Sequence, residues 1–344
     1  MLKLLEDIIG VDSLKNVLDY TPKIDKSLLS LPGVDFIDRT YLNSDRNPNV
    51  LKNLGHLFNS GRLSGTGYLS ILPLDHGIEH GAAVSFSSNI GMFDPVNIFE
   101  LALKTEVSAV ASSLGNLGSV CRKYVHKIPI ILKVNHNDIF SNESPKQSFF
   151  AEIDQAFDMG ASGVAATLYL GANDTKDQIS RVSKCFKYAH EKGMFTIVWA
   201  YLRNESFKRE RDYHSAADMT AQANYLASAI EADIVKQKFP TVPEGFQDIN
   251  PKMKDSTYLT DHPVDMLRFQ LLGCLSGRVP LLSSGGASHG NDLKDLALTC
   301  LVNKAAGGSG VIPGRKIFRK NLDESVKLMN LVHDIYLSKD IGVL

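Results

Sequence analysis

The sequence has 344 residues, 44% of them hydrophobic, with 37 Lys+Arg against 38 Asp+Glu and a formal net charge of −1. This balance argues against nucleic acid or an anionic membrane as the main partner, and no apolar run approaches the ~20 residues that span a bilayer. The 4 cysteines are widely spaced without a Cys-x-x-Cys pair, which fits a reducing compartment. Composition therefore predicts a soluble, cytoplasmic α/β protein of enzyme size.

Along the chain, helical patterns come first, around residues 4–19 and 49–58. A short apolar run, a polar loop and a helical stretch then alternate. The apolar runs are Tyr68–Asp75, Ala109–Ser113, Ile128–Val134, Gly163–Tyr169, Phe195–Tyr201, Asp233–Phe239, Val279–Ser284 and Gly310–Pro313. This alternation predicts parallel strands joined by helical crossovers, and eight of them predict a closed (β/α)8 TIM barrel over residues 66–344. Residues 1–65 are expected to form an N-terminal helical extension packed on the barrel. A doubly wound open sheet is the alternative, but no Gly-x-Gly-x-x-Gly follows a strand.

Helix boundaries follow from caps. Asp94-Pro95 and Ser144-Pro145 each place a capping residue before a proline, which predicts that helices begin there. Asp174 opens another helix, and Gly193 ends it, because glycine adopts the left-handed conformation at a helix terminus.

Lysines stand at the carboxyl ends of two predicted strands, where barrel enzymes carry their active sites. Lys133 ends the third strand, and Lys236 and Lys238 share one face of the sixth; Trp199 and Tyr201 share a face of the fifth. A lysine buried among apolar residues can be kept neutral, and a neutral amine is the nucleophile that Schiff-base chemistry requires. The alternatives are that these lysines reach the barrel mouth or bind a phosphate, and spacing does not choose among the three.

Glycine clusters follow the last two strands. Ser284, Gly285 and Gly286 follow the seventh strand, and Gly314 and Arg315 follow the eighth. Phosphate sites in such barrels are commonly built there, since glycine admits close approach and arginine binds phosphate in a bidentate manner. Ordinary tight turns are the alternative.

Two further signals concern acid/base and metal chemistry. Asp75 can orient a lysine and Tyr201 can transfer protons, although a loop cap and a structural hydroxyl are the respective alternatives. His76 to His80 fits H-x-x-E-H, a zinc pattern that needs both histidines on one helical face. This segment leaves a strand and carries a glycine at its second position, which disfavours a metal site.

Several separated motifs carry a family resemblance from about Leu69 to the C-terminus. They are Pro73-Leu74-Asp75-His76-Gly77, Arg122-Lys123-Tyr124, Leu132-Lys133-Val134-Asn135-His136, Ala232-Asp233-Ile234-Val235-Lys236-Gln237-Lys238, Ser284-Gly285-Gly286-Ala287 and Gly314-Arg315-Lys316. The chain resembles the archaeal-type (DhnA-type) class I fructose-bisphosphate aldolases, and especially their longer bacterial branch.

The resemblance implies a TIM-barrel lyase of glycolysis and gluconeogenesis that reversibly cleaves fructose 1,6-bisphosphate to dihydroxyacetone phosphate and glyceraldehyde 3-phosphate. It implies no metal or other cofactor, and a homo-oligomer, commonly a decamer. It assigns the Schiff base to Lys236, acid/base catalysis to Tyr201 and the first-strand aspartate to Asp75. The phosphate cradle would comprise Ser284, Gly285, Gly286, Gly314 and Arg315, and Lys133 and Trp199 are further candidates for substrate binding.

Two departures concern specificity. Tyr201 is followed by Leu202 where archaeal members usually have proline, and residues 240–261 lengthen the loop after the Lys236 strand. Another phosphorylated ketose therefore stays open as the substrate. More distant possibilities are a metal-dependent lyase or hydrolase that uses His76 and His80, and a non-catalytic barrel that binds phosphosugars.

Overall fold

The computed structural model describes residues 1–140, 147–250, 252, 258–288 and 290–344. Its strands are β1 Leu69–Leu74, β2 Ala109–Ser112, β3 Ile130–Lys133, β4 Asn135–Asn137, β5 Gln147–Phe149, β6 Gly163–Leu170, β7 Phe195–Leu202, β8 Ile234–Gln237, β9 Leu281–Ser284 and β10 Gly310–Ile312. All but β4 and β5 form a closed parallel barrel in the order β1-β10-β9-β8-β7-β6-β3-β2, with β2 pairing back to β1. The predicted TIM barrel is confirmed, and the predicted runs match its strands.

Helices cover the barrel and precede it. They are α1 Leu2–Ile9, α2 Val11–Leu18, α3 Phe36–Thr40, α4 Pro48–Phe58, α5 His76–Glu79, α6 Ala82–Phe86, α7 Pro95–Lys104, α8 Leu114–Gly118, α9 Cys121–Tyr124, α10 Ile153–Asp158, α11 Thr175–Glu191, α12 Ala217–Ala229, α13 Phe246–Ile249, α14 Pro263–Gly273, α15 Asp292–Ala306, α16 Arg315–Phe318 and α17 Leu322–Leu337. The side chain of Asp94 accepts from the Val96 amide at the start of α7, as its capping role predicts. Among the described residues, no helix has the length and hydropathy needed to cross a membrane.

One predicted helix start, Ser144-Pro145, lies outside the described residues. Gln147–Phe149, which are described, form a strand paired antiparallel with Asn135–Asn137. The helix α10 that follows begins at Ile153. There Glu152 and Gln155 form a capping box, which satisfies the amides at the start of α10 and fixes the boundary.

The N-terminal segment closes the bottom of the barrel. Apolar side chains of α3 and α4, together with Tyr41, pack against the strand residues that fill the barrel interior. The N-terminal residues buried in this apolar cluster with the barrel interior are Phe36, Tyr41, Val50, Leu54, Leu57 and Phe58. Because strand ends at the bottom are covered in this way, the opposite, carboxyl-terminal face is left to hold the site.

Candidate active site

A cavity of about 640 Å³ opens at the carboxyl-terminal ends of the barrel strands. It is lined by nine of the ten predicted site residues, contributed by β7, β8, β9, the residue after β1, the loops that follow β9 and β10, and the start of α16. Lys133 is the tenth and lies fully buried at the end of β3. The barrel thus brings together side chains that are far apart in sequence.

Lys236 stands between two aromatic side chains of the neighbouring strand. It is 4% exposed, and its Nζ lies 4.8 Å from the ring centroid of Trp199 and 5.9 Å from that of Tyr201. Trp199 is its direct partner in the β7–β8 register. Lys238 lines the same cavity, as strand alternation predicts, and burial together with the charge of Arg203 lowers the pKa of Lys238 to about 8.

Lys133 is held by oxygen atoms of the residue after β1, of α5 and of the first residue of β4. Its Nζ lies 3.7 Å from Oδ2 of Asp75 and 3.4 Å from Oε1 of Glu79, and it donates to the carbonyl of Asn135. Burial, the largest single effect, would raise the pKa of Asp75, but Lys133 together with His76, Lys236 and His136 outweighs it and holds that pKa well below its usual range. Asp75 and Lys133 therefore form a buried ion pair beside Lys236.

Tyr201 faces the loop after β9. Its hydroxyl donates to Oγ of Ser284 over 3.5 Å, and the guanidinium carbon of Arg203 lies 5.9 Å from its ring centroid. Tyr169, on the adjacent strand, is its direct register partner. Two tyrosines and an arginine thus stand side by side at the cavity wall.

Two glycines of the loops after β9 and β10 pack so closely against neighbouring protein atoms that a side chain there would clash. A Cβ on Gly285 would lie 2.8 Å from the Cα of Pro313, and one on Gly314 would lie 2.5 Å from Cε1 of His76. Arg315 follows directly, and its Nε is buried without a hydrogen-bond partner among the described residues. Burial and the charge of Arg319 lower the pKa of Arg315. A backbone cradle beside an unsatisfied guanidinium can receive an anion such as phosphate.

The H-x-x-E-H segment forms one short helical turn, with the ring centroids of His76 and His80 5.7 Å apart. Burial lowers the pKa to about 3 for His76 and about 4 for His80, so both are neutral at pH 7. Within the described residues, the group whose ligand atoms lie within 4.8 Å of one another is a different one, Asp75, Glu79 and His136. The ammonium of Lys133 already lies against both carboxylates of that group.

Several side chains at this site have no role predicted from the sequence. Glu79, Tyr169 and Arg203 line the cavity, and Lys316 does so while its Nζ donates to Asp295 at 2.8 Å. Each lies near the carboxyl end of a barrel strand or in the segment that follows it, and this position is the sequence signal that could have identified them. Their pairings join different strands, which spacing along one strand does not reveal.

A parallel barrel with a buried lysine, its ion pair and an anion cradle at the mouth defines a TIM-barrel enzyme. Residues 69–320 match the family model described as DeoC/LacD family aldolase, and the chain belongs to that family. This confirms the aldolase assignment expected from the separated motifs.

Relatives agree with this assignment. A protein of Chlamydia muridarum named "Probable fructose-bisphosphate aldolase class 1" is 46% identical over 344 residues, which cover 98% of both chains. The structure of a Schiff-base-forming fructose-1,6-bisphosphate aldolase is 24% identical, with a TM-score of 0.64 over 81% of this chain and 99% of that one. A fructose-bisphosphate aldolase from Slackia heliotrinireducens is 21% identical, with a TM-score of 0.70 over 92% of each chain. The two structural likenesses show the shared fold.

Proposed function

We propose that this protein is a class I fructose-bisphosphate aldolase that cleaves fructose 1,6-bisphosphate reversibly to dihydroxyacetone phosphate and glyceraldehyde 3-phosphate. The observation that carries the proposal is the placement of Lys236, buried at the cavity floor beside Trp199 and near the carboxylate of Asp75. The near full-length relative named as a class 1 enzyme supports the same reaction.

In the proposed reaction Lys236, as the neutral amine, attacks the ketone carbon C2. Loss of water from the resulting carbinolamine gives an iminium ion. Tyr201 takes the proton of the C4 hydroxyl, the C3–C4 bond breaks, and its electron pair moves to C3 while the iminium becomes an enamine. Glyceraldehyde 3-phosphate leaves. Tyr201 returns the proton it took, now to C3 of the enamine, and addition of water to the resulting iminium releases dihydroxyacetone phosphate and returns Lys236 to the free amine.

The remaining groups bind and orient the substrate. Asp75, paired with Lys133, places negative charge near the positive iminium. The backbone of Gly285, Gly286 and Gly314, with Ser284 and Arg315, holds one phosphate away from the reacting carbons and so fixes the substrate. Trp199 packs against Lys236.

The electron sink of this scheme is the iminium of Lys236, so the reaction needs no metal or other cofactor. We further propose a cytoplasmic enzyme that assembles as a homo-oligomer, with a decamer as the proposed form. Residues 1–65 are proposed to be a helical extension that folds together with the barrel of residues 66–344.

Borohydride reduction in the presence of dihydroxyacetone phosphate tests the proposal. The expected result is a stable adduct on Lys236, located by peptide mass analysis, that persists in Lys238→Ala and disappears in Lys236→Ala, together with cleavage of fructose 1,6-bisphosphate. An adduct on Lys238, or none at all, refutes the assignment. Loss of turnover with a chelator and no adduct would favour metal chemistry at His76 and His80.

The same assays distinguish a barrel that only binds phosphosugars from an aldolase of different specificity. Binding of phosphosugars with neither adduct nor turnover would indicate a non-catalytic barrel. An adduct with faster cleavage of another phosphorylated ketose would keep the Schiff-base mechanism and change the substrate.

A further inference from the structure

Glu79 is the acidic member of the H-x-x-E-H segment, and the proposed reaction gives it no role. It lies at the end of α5 and lines the cavity. Its side chain is 11% exposed, so its carboxylate needs partners within the protein. Those partners identify what it does.

Each carboxylate oxygen of Glu79 receives a different donor. Oε1 lies 3.4 Å from Nζ of Lys133, and Oε2 accepts a hydrogen bond of 3.1 Å from the hydroxyl of Tyr169. Nδ1 of His136 lies 3.8 Å from Oε1, but burial lowers the pKa of His136 to about 3, so this imidazole brings no charge at neutral pH. Glu79 therefore joins β3 to β6 through one side chain.

The Tyr169 contact extends to the proposed proton acceptor. The guanidinium carbon of Arg203 lies 4.8 Å from the ring centroid of Tyr169 and 5.9 Å from that of Tyr201. A guanidinium stacks preferentially on an aromatic face. Arg203 also donates to the carbonyl of Leu202 at 3.1 Å, and Tyr169, which Glu79 holds at the hydroxyl, supports the guanidinium from its aromatic face beside Tyr201.

We infer that Glu79 is a positioning residue for carbon–carbon bond cleavage, which holds Lys133 through one oxygen and the Tyr169–Arg203 pair through the other. This inference rests on the proposed aldolase function and deepens it. When Tyr201 takes the proton of the C4 hydroxyl, Arg203 supplies the positive charge beside it, and Glu79 keeps Arg203 there through Tyr169. Glu79 itself does not touch the reacting carbons in this arrangement.

Two substitutions separate the contacts of Glu79. Tyr169→Phe keeps the aromatic face and removes the hydroxyl, so only the Tyr169 side is released. Glu79→Gln keeps the shape but offers one acceptor oxygen and one amide nitrogen. The amide oxygen can still accept from Lys133, but the amide nitrogen is a donor, so the Tyr169 hydroxyl must turn from donor to acceptor and both contacts lose the carboxylate charge.

The measurement compares two reactions on the full chain. Fructose 1,6-bisphosphate cleavage needs Tyr201, whereas borohydride trapping of dihydroxyacetone phosphate on Lys236 does not break a carbon–carbon bond. For Tyr169→Phe we expect kcat for cleavage to fall about tenfold or more, with KM and the trapping rate within about twofold of wild type. Glu79→Gln is expected to be less harmful in the Tyr169→Phe background, because the charge-assisted contact with the Tyr169 hydroxyl is already absent there.

Tyr188→Phe is the matched control, because its hydroxyl also donates to a carboxylate, Asp154 at 2.7 Å, but on the exposed side of α11. It should leave both rates unchanged. Cleavage by Tyr169→Phe at the wild-type rate would overturn the inference, as would cleavage and trapping that fall together or additive effects of the two substitutions. A wild-type protein that neither cleaves nor traps would instead overturn the proposed function on which the inference rests.

Discussion

Arg46 ties the N-terminal segment to a buried carboxylate at the bottom of the barrel. Its Nε donates to Oδ1 of Asp233 at 2.6 Å; the two side chains are 10% and 0% exposed. Arg46→Met keeps most of the length of the side chain and removes its charge. His190 Nε2 at 2.9 Å and the Thr196 amide at 2.8 Å still contact the other oxygen of Asp233. Breaking a buried ion pair costs about 3–5 kcal/mol, and these remaining contacts place the expected loss of unfolding free energy at about 3 kcal/mol.

The chain offers a matched control in a pair of the same chemistry at the surface. Arg39 Nε lies 2.9 Å from Asp35 Oδ2, with side chains 41% and 55% exposed. Exposed pairs contribute about 0–1 kcal/mol, so Arg39→Met should change stability by less than about 1 kcal/mol. Urea unfolding followed by circular dichroism gives both free energies, and kcat measured in parallel should equal the wild-type value in both variants.

Equal losses in the two variants would show that burial of Asp233 does not set the strength of the pair. A fall in kcat for folded Arg46→Met would show that the N-terminal segment acts on the site at the opposite end of the barrel. The expected pattern, a large loss of stability with unchanged kcat, would support the proposal that residues 1–65 fold together with the barrel.

Three other predictions concern the cavity and its buried groups. In Gly314→Ala the new Cβ would lie 2.5 Å from Cε1 of His76, so we expect the KM for fructose 1,6-bisphosphate to rise about tenfold or more. A Cβ at Gly115 meets nothing within 4 Å, so Gly115→Ala should leave KM unchanged. An unaltered KM in Gly314→Ala would contradict the phosphate cradle. Burial lowers the pKa of His136 to about 3, so below about pH 6.5 this side chain binds a proton in the unfolded chain but not in the folded protein. His136 should therefore reduce the free energy of unfolding by up to about 1.4 kcal/mol per pH unit as the pH falls toward 3. Urea unfolding at pH 7 and pH 5 checks this sign, and equal free energies would refute it. Because the pKa of Lys238 is lowered to about 8, its positive charge is lost above that pH. We therefore expect the KM for the bisphosphate to rise above pH 8 in the wild type but not in Lys238→Met. Parallel pH profiles of the two proteins would exclude a role for this charge.

The barrel could be predicted from the sequence because its strands are buried on both faces. Every residue of β1, β2, β3, β6 and β8 is buried, and apolar residues predominate in all of them except β8, where Lys236 and Gln237 follow Ile234 and Val235. The β4–β5 hairpin was missed for the opposite reason. Asn135–Asn137 is polar throughout, so it has neither a continuous apolar run nor an apolar alternation, and its pairing with Gln147–Phe149 depends on tertiary contacts.

The candidate site could likewise be predicted from the sequence only in part. Alternation along β8 correctly predicted that Lys236 and Lys238 face one cavity, since that relation is local to the strand. It left Lys133 as an equal candidate because the partners of Lys133 come from other parts of the chain. Glu79 lies 54 positions from Lys133 and 90 from Tyr169, and only the closed barrel brings the three together.

Lys133 explains how two carboxylates are held side by side in this interior. Asp75, Glu79 and His136 offer ligand atoms within 4.8 Å of one another, an arrangement that could hold a metal ion. Two neighbouring buried carboxylates repel each other, and one of them would take up a proton unless a positive charge compensated them. The ammonium of Lys133, 3.7 Å from Asp75 and 3.4 Å from Glu79, supplies that charge from within the chain. A covalently attached cation cannot exchange with solvent, so both carboxylates keep fixed partners and Glu79 keeps an oxygen free for Tyr169. In the proposed reaction this leaves Lys236 as the group that becomes positively charged during turnover, next to a carboxylate that is already ionised.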